Sequence, residues 1–279
     1  MAIAAPVVQY RKEMVEAFRQ RMNLLGATGT KETVLNGNQA TFVVGGSATD
    51  TAVTRGTNGY IPYGTTTNSQ VTITLAEKHA TYEMTKFNIF SSQGDQTRLM
   101  QEESLAVINR DVDLVILNAL SSATNDTGAT QQGSLNLVLY AQAILGNNDV
   151  PVDEENNVFG VISPAFRAYL MQTAEFSNGQ WVDVRPFNGP ARKMFRWNGV
   201  NWIVSTRLTG LGTSSEICYM YHRNALGYAA NLGEENVEVD YDKKQDLTWS
   251  RATLYHGATI LQNSGIVKIT HDGSAYAAQ

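Results

Sequence analysis

The sequence holds a single cysteine, Cys218, among 279 residues, which excludes a disulfide framework and any metal site built from several thiolates. Cys218 stands in the strand-like run Ile217-Cys218-Tyr219-Met220-Tyr221, where a small buried hydrophobe is its expected role. Prolines number only six, and 17% of residues are charged. Neither sign of charge dominates. The 21 Lys and Arg against 26 Asp and Glu leave a net charge of -5, a poor basis for wrapping nucleic acid. Long apolar runs are missing too. The densest, around Leu114 to Leu117, is bounded by Asp113 and Asn118 and falls far short of the ~20 residues of a membrane helix. The opening Met1-Ala2-Ile3-Ala4-Ala5-Pro6 has no basic n-region, and Pro6 interrupts its apolar stretch. The expectation is a soluble protein made in a reducing compartment.

Catalytic motifs are equally scarce. His79, His222, His256 and His271 show no zinc-binding spacing and read as ordinary strand or loop residues. No nucleophile elbow, Walker loop or dinucleotide fingerprint occurs. Gly45-Gly46-Ser47 reads as a bend, since no helix pattern follows it to make a phosphate cradle. Asp153-Glu154-Glu155 has the composition of an acid-base pair or a hard-cation site, but reads first as a solvated loop. The sequon Asn125-Asp126-Thr127 carries nothing without a secretory route. The expected protein is no enzyme and uses no cofactor or metal.

What is present is a distinctive order of parts. Hydrophobic residues make up 43% of the chain, enough to core one large or two modest domains. Residues 7–25 predict an amphipathic helix, with Tyr10, Met14, Phe18, Met22 and Leu25 on one stripe and Gly26 and Gly29 ending it. Residues 26–90 contain 15 threonines and only eight charged residues, with strand alternation in Gln70 to Leu75. Such an extended arm has too few bulky apolar residues to fold alone. It must lie on the rest of its chain or on a neighbouring subunit.

Residues 95–121 predict a long helix, about 39 Å of rod, with Asp95 as N-cap. Leu105, Ile108, Val112, Val115, Ile116 and Ala119 form its apolar face, with Glu102, Glu103, Asn109, Arg110, Asp111 and Asp113 largely opposite. A Ser/Thr/Gly-rich stretch, 121–134, leads to a helix over Leu135 to Leu145 and a strand over Val158 to Ile162. Ser163-Pro164 then starts a further helix. Arg196 to Trp202 predicts a hairpin around Asn198-Gly199. Ile217 to His222, Val237 and Val239, Leu247 to Tyr255, and Gly265 to Thr270 read as strands, and 274–279 as a frayed tail.

Charge is unevenly spread in the second half. Arg185, Arg192, Lys193, Arg196 and Arg207 lie among Phe187, Phe195, Trp197 and Trp202 without an acid, whereas Glu234, Glu235, Glu238, Asp240, Asp242 and Asp246 face only Lys243 and Lys244. Basic residues among aromatics suit a single-strand nucleic-acid surface. Two complementary patches suit self-association.

The order of parts resembles the major capsid proteins of tailed double-stranded DNA bacteriophages, the Hong Kong 97-type fold. The resemblance covers essentially the whole chain. Asn157-Val158-Phe159-Gly160-Val161-Ile162-Ser163-Pro164-Ala165-Phe166-Arg167-Ala168-Tyr169-Leu170 looks like the family's axial-domain strand and helix. Met194 to Ser205 looks like the hairpin that follows. His222 to Ala229, Val237 to Tyr241, Tyr255 to Thr259 and Gly265 to Ile269 match its closing pattern.

The resemblance implies an α+β fold: N-terminal arm and helix (1–25), extended β-loop (26–90), peripheral domain with spine helix (91–122), axial domain (123–234) and return strands (235–279). It implies a structural protein whose hexamers and pentamers close into an icosahedral head around double-stranded DNA, contacted without sequence specificity. Location would be the virion, reached through the host cytoplasm. Expected partners are further copies of the chain, a separate scaffolding protein (or none), a portal protein and a decoration protein, with no membrane. Tyr60, Ile61, Pro62 and Tyr63 are the expected apolar anchors of the arm. Arg192, Lys193 and Arg196 are expected to meet Asp153, Glu154 and Glu155 between subunits. The Leu105, Ile108, Val112 and Val115 face is expected to pack on the C-terminal strands around Trp249 and Tyr255. Two other readings stay open: an encapsulin-like shell around an enzyme and, from a different class, a β-rich adhesin or binding module.

Overall fold

The computed structural model describes residues 20, 22–46, 51–64, 67–92, 95–154, 156–173, 194–231 and 236–276. The stripe residues Tyr10, Met14 and Phe18 of the expected first helix lie outside the described residues, as do Glu155, Arg192 and Lys193. Met22 to Leu25 is a bend rather than the last turn of a helix. The cause is visible: Asp113 Oδ1 accepts the backbone N–H groups of Leu24 (2.9 Å) and Leu25 (3.0 Å), donors that a continuing helix would spend on its own carbonyls.

The described residues fall into two compact units. One is drawn from Met1–Asn23, Glu77–Asp111 and Gly233–Tyr255, the other from Leu24–Ala76, Val112–Leu232 and His256–Gln279. The second is built on a five-stranded sheet, ordered β12-β8-β5-β7-β6. Its strands are β5 (Val158–Ile162), β6 (Met194–Trp197), β7 (Val200–Val204), β8 (Glu216–His222) and β12 (Ile266–His271). Central β5, Val-Phe-Gly-Val-Ile, is buried at every position, which explains its unbroken apolar run. It pairs parallel with β7 and antiparallel with β8.

The β6–β7 hairpin turns on Asn198 (φ 52°) and Gly199 (φ 72°), the two left-handed positions that its tight turn requires. Helix α3 (Leu135–Asn147) starts at Ser134, whose hydroxyl accepts the Leu137 N–H, and α4 (Pro164–Gln172) starts at Ser163 with proline in its first turn. Cys218 is fully buried in β8, as its apolar surroundings predict. The tail is better held than expected up to Tyr276. Asp272 caps the short 3-10 turn Ser274–Tyr276, and the Tyr276 ring meets Tyr169 edge-on at 5.0 Å.

The threonine-rich arm has found part of its support within its own chain. Strand β1 (Thr30–Val34) pairs parallel with β9 (Leu226–Asn231), and β2 (Gln39–Val44) with β3 (Ser69–Thr74) makes an antiparallel ribbon. The most deeply buried residue of that ribbon is Ile73. Buried Ile73 packs with Ala40 and Ala229, and it fits because Gly227 and Gly257 carry no side chain. A Cβ on Gly257 would stand 2.8 Å from Ile73 Cγ2 and 2.8 Å from Thr74 O.

In the first unit, β4 (Ala76–Thr85) and β10 (Asn236–Asp242) pair with the long β11 (Leu247–Ile260); residues 256–260 of β11 belong to the second unit and pair there with β9. A short helix, α1 (Lys86–Ser91), follows β4 where the sequence reads as more arm. The long helix α2 spans Gln96–Ser121, and Asp95 Oδ1 accepts the Arg98 N–H at 3.0 Å.

The apolar face of α2 lies differently from the expected one. Ile108 and Val112 are buried, Leu105 and Val115 only half-buried, while Ser104, Ala106, Asn109 and Asp113 are buried among them. The phase of β11 is likewise opposite to expectation. Ser250, Ala252 and Leu254 point inward, whereas Trp249 is half-buried under the Arg251 guanidinium (5.3 Å) and Tyr255 is exposed. The Ser104 and Ser250 hydroxyls, both fully buried, meet at 3.1 Å. Small side chains on both elements let helix and strand approach closely, which Trp249 would prevent.

Candidate functional site

Residues 51–64 form an exposed loop between β2 and β3 with a hydrogen-bonded turn at residues 55–60. Gly56 N–H donates to Tyr60 O, Gly59 N–H to Gly56 O (both 2.9 Å), and Arg55 Nη1 to Gly59 O at 2.8 Å. The apolar side chains go unused by this arrangement. Tyr60 is 76% exposed, Ile61 53% and Tyr63 99%, with Pro62 exposed between them. All four residues expected as anchors therefore share one loop and point away from any core. A second apolar feature escaped the sequence reading. Helix α1, capped by the Thr85 hydroxyl, buries none of its residues and exposes Phe87 (73%) and Phe90 (86%). Two phenylalanines three apart signal a helical face, but they are hidden among the threonine-rich strands.

The charged candidates are partly engaged locally. Glu154 is exposed, and its Oε2 accepts a hydrogen bond from Asn157 Nδ2 at 2.6 Å while standing 3.8 Å from His222 Nε2. Asp153 is exposed beside it. Arg196 is exposed on β6, flanked by inward-facing Phe195 and Trp197. Among the described residues that alternation speaks against the single-strand nucleic-acid reading: Phe195, Trp197 and Trp202 are buried, so their faces cannot receive bases, while Arg185 and Phe187 lie outside the described residues.

One buried cluster has the composition of a hydrolytic triad. Ser163 Oγ donates to Glu216 Oε2 at 2.5 Å, and His271 Nδ1 bonds the same oxygen at 3.0 Å. The wiring is wrong for nucleophilic catalysis. A serine nucleophile must hand its proton to histidine, yet here the carboxylate stands between them and Ser163 Oγ also accepts the Phe166 N–H as a helix cap. All three side chains are buried.

The cluster is a structural tie. Glu216 Oε1 also takes the Gly212 N–H at 2.6 Å, so one carboxylate joins the 212 loop, the start of α4 and the end of β12. Burial is the main influence on His271 and holds its pKa below the usual histidine value, against the pull of Glu216 and Asp272. Burial likewise pushes the Cys218 thiol up to about 12, leaving it inert at neutral pH. Among the described residues, no group of three or more His, Cys, Asp or Glu is placed to hold a metal ion.

A family model described as phage capsid protein matches residues 2–273. A solved structure from Mycobacterium phage Che8 superposes with a TM-score of 0.73 at 14% identity, covering 96% of this chain and 98% of its own. The capsid of a native GTA particle gives 0.72 at 11% identity over 97% and 96%. The capsid of Cyanophage P-SCSP1u gives 0.68 at 13% identity over 95% and 92%. No curated protein matches the sequence. At these identities the superpositions speak for a shared fold.

Proposed function

The chain belongs to the phage capsid protein family, and on that premise we propose that its copies assemble as hexamers and pentamers into an icosahedral head enclosing double-stranded DNA. The observation that carries this reading is the 51–64 loop, on which Tyr60, Ile61 and Tyr63 stand in solvent. Burying such side chains on a second copy would be favoured by about 25 cal/mol per Å² of apolar surface removed from water. Repeated around a closed shell, that contact is made many times.

In this reading residues 26–90 are the extended loop, with its exposed 51–64 end laid on a neighbour, 91–122 and 235–279 the peripheral domain, and 123–234 the axial domain, after an N-terminal arm at 1–25. Around the capsomer axis Arg192, Lys193 and Arg196 face Asp153, Glu154 and Glu155 of adjacent copies, where opposite charges fix register. A chain of net charge -5 offers packaged DNA little to adhere to. A scaffolding protein, a portal and a decoration protein complete the proposed set of partners, and assembly takes place in the host cytoplasm.

The contacts are tested by comparing particle yield on sedimentation gradients for the wild type, Arg196→Glu and a Tyr60/Ile61/Tyr63→Ser variant. Both variants should keep the wild-type circular dichroism and lose most of their shells. Wild-type yields of normal shells would overturn these contact assignments.

A further inference from the structure

Three Asn-Gly pairs lie among the described residues: Asn36-Gly37, Asn58-Gly59 and Asn198-Gly199. Such a pair can modify itself. The glycine backbone nitrogen attacks the asparagine side-chain carbonyl carbon, ammonia leaves, and water opens the resulting succinimide to aspartate or isoaspartate. No enzyme or cofactor takes part, and water is the sole co-reactant. The attack needs an asparagine amide free to rotate and a glycine nitrogen free to reach it.

The fold withholds these conditions from two of the three pairs. Asn198 is clamped on both sides by Gln142: Gln142 Nε2 donates to Asn198 O at 2.8 Å, and Asn198 Nδ2 donates to Gln142 Oε1 at 2.9 Å. At Asn58 the nucleophile is committed, since Gly59 N–H donates to Gly56 O at 2.9 Å and Arg55 grips Gly59 O. Asn36 differs. Residues 35–38 are all exposed, the Asn36 side chain makes no hydrogen bond among the described residues, and nothing lies within 4 Å of where a Gly37 Cβ would stand.

We infer that Asn36 is a site of spontaneous succinimide-mediated conversion to aspartate and isoaspartate, and that the Gln142 clamp protects Asn198 from the same reaction. The product places a new carboxylate in the turn between β1 and β2. The isoaspartate form also adds a methylene to the main chain two residues before Asn38, whose carbonyl accepts the Leu75 N–H at 2.8 Å and ties the turn to the end of β3. The inference concerns the chemistry of the folded chain and does not depend on shell assembly.

It is tested by ageing the purified, folded protein in mildly alkaline buffer and mapping its peptides by mass spectrometry with an isoaspartate-specific readout. Asn36 should convert several-fold faster than Asn58 or Asn198, and the difference should collapse in denaturant. Gln142→Ala should raise the Asn198 rate and leave that of Asn36 unchanged. Equal rates at Asn36 and Asn198 in the folded protein would overturn the inference, and so would the same ranking in denaturant, since local sequence alone would then set it.

Discussion

Asp113 lies fully buried on α2 and holds the backbone of Leu24 and Leu25 through one oxygen. Replacing it with alanine strands one buried and one part-buried N–H donor, the buried one costing about 1–3 kcal/mol and the other less. Asp113→Ala should therefore lower the unfolding free energy in urea by about 2–4 kcal/mol, while Asp113→Asn, which keeps the accepting oxygen, should lose less. Helical spacing placed Asp113 on the polar face because a lone carboxylate normally seeks water. Its partners are the backbone of residues 88 and 89 positions away, which no local pattern encodes.

His271 gives a prediction in pH. Its pKa is lowered in the folded state from 6.5, burial being the main cause, so the unfolded chain binds the proton more readily. This contribution to stability is fully present above about 6.5 and is lost as pH falls through that value toward the folded pKa. Melting temperature should drop on acidification through this window, and His271→Gln should flatten part of the drop. An unchanged slope would remove His271 as a cause.

At the scale of elements, the signals with a local mechanism were the readable ones. Strand β5, the Ser163-Pro164 helix start, the Asn198-Gly199 turn and the long helix from Asp95 all depend on neighbours in sequence. The face of β11 could not be read in that way. Its alternation is clear, but whether Trp249 or Ser250 turns inward is decided by how closely α2 approaches, and small residues won. The anchoring of the arm was hidden for a similar reason: Gly227 and Gly257 are bare because Ile73 and Leu261 need the space, which only the fold shows. Gly257→Ala should push Ile73 and Thr74 away and loosen the β2–β3 ribbon. Limited proteolysis should then cut within residues 39–74 faster than in the wild type, and an unaltered pattern would contradict this account of the anchor.

For the whole molecule, the order of arm, long helix, compact α/β region and returning strands carried the capsid resemblance, and the superpositions over more than nine-tenths of the chain agree. The candidate assembly surface was legible only in part. The loop around Tyr60 stood out because tyrosine, isoleucine and proline are conspicuous in a threonine-rich arm. Phe87 and Phe90 did not, since a six-residue helix leaves almost no periodic trace. What a single chain holds unfinished, the exposed aromatics Tyr60, Tyr63, Phe87 and Phe90, is what many copies would complete.

Electron microscopy of the purified protein, with size-exclusion chromatography alongside and high concentration with a crowding agent as the assembly condition, tests that claim most directly. The account predicts closed shells, tubes or isolated hexamers. A chain that stays a clean monomer under those conditions would contradict self-assembly as its function.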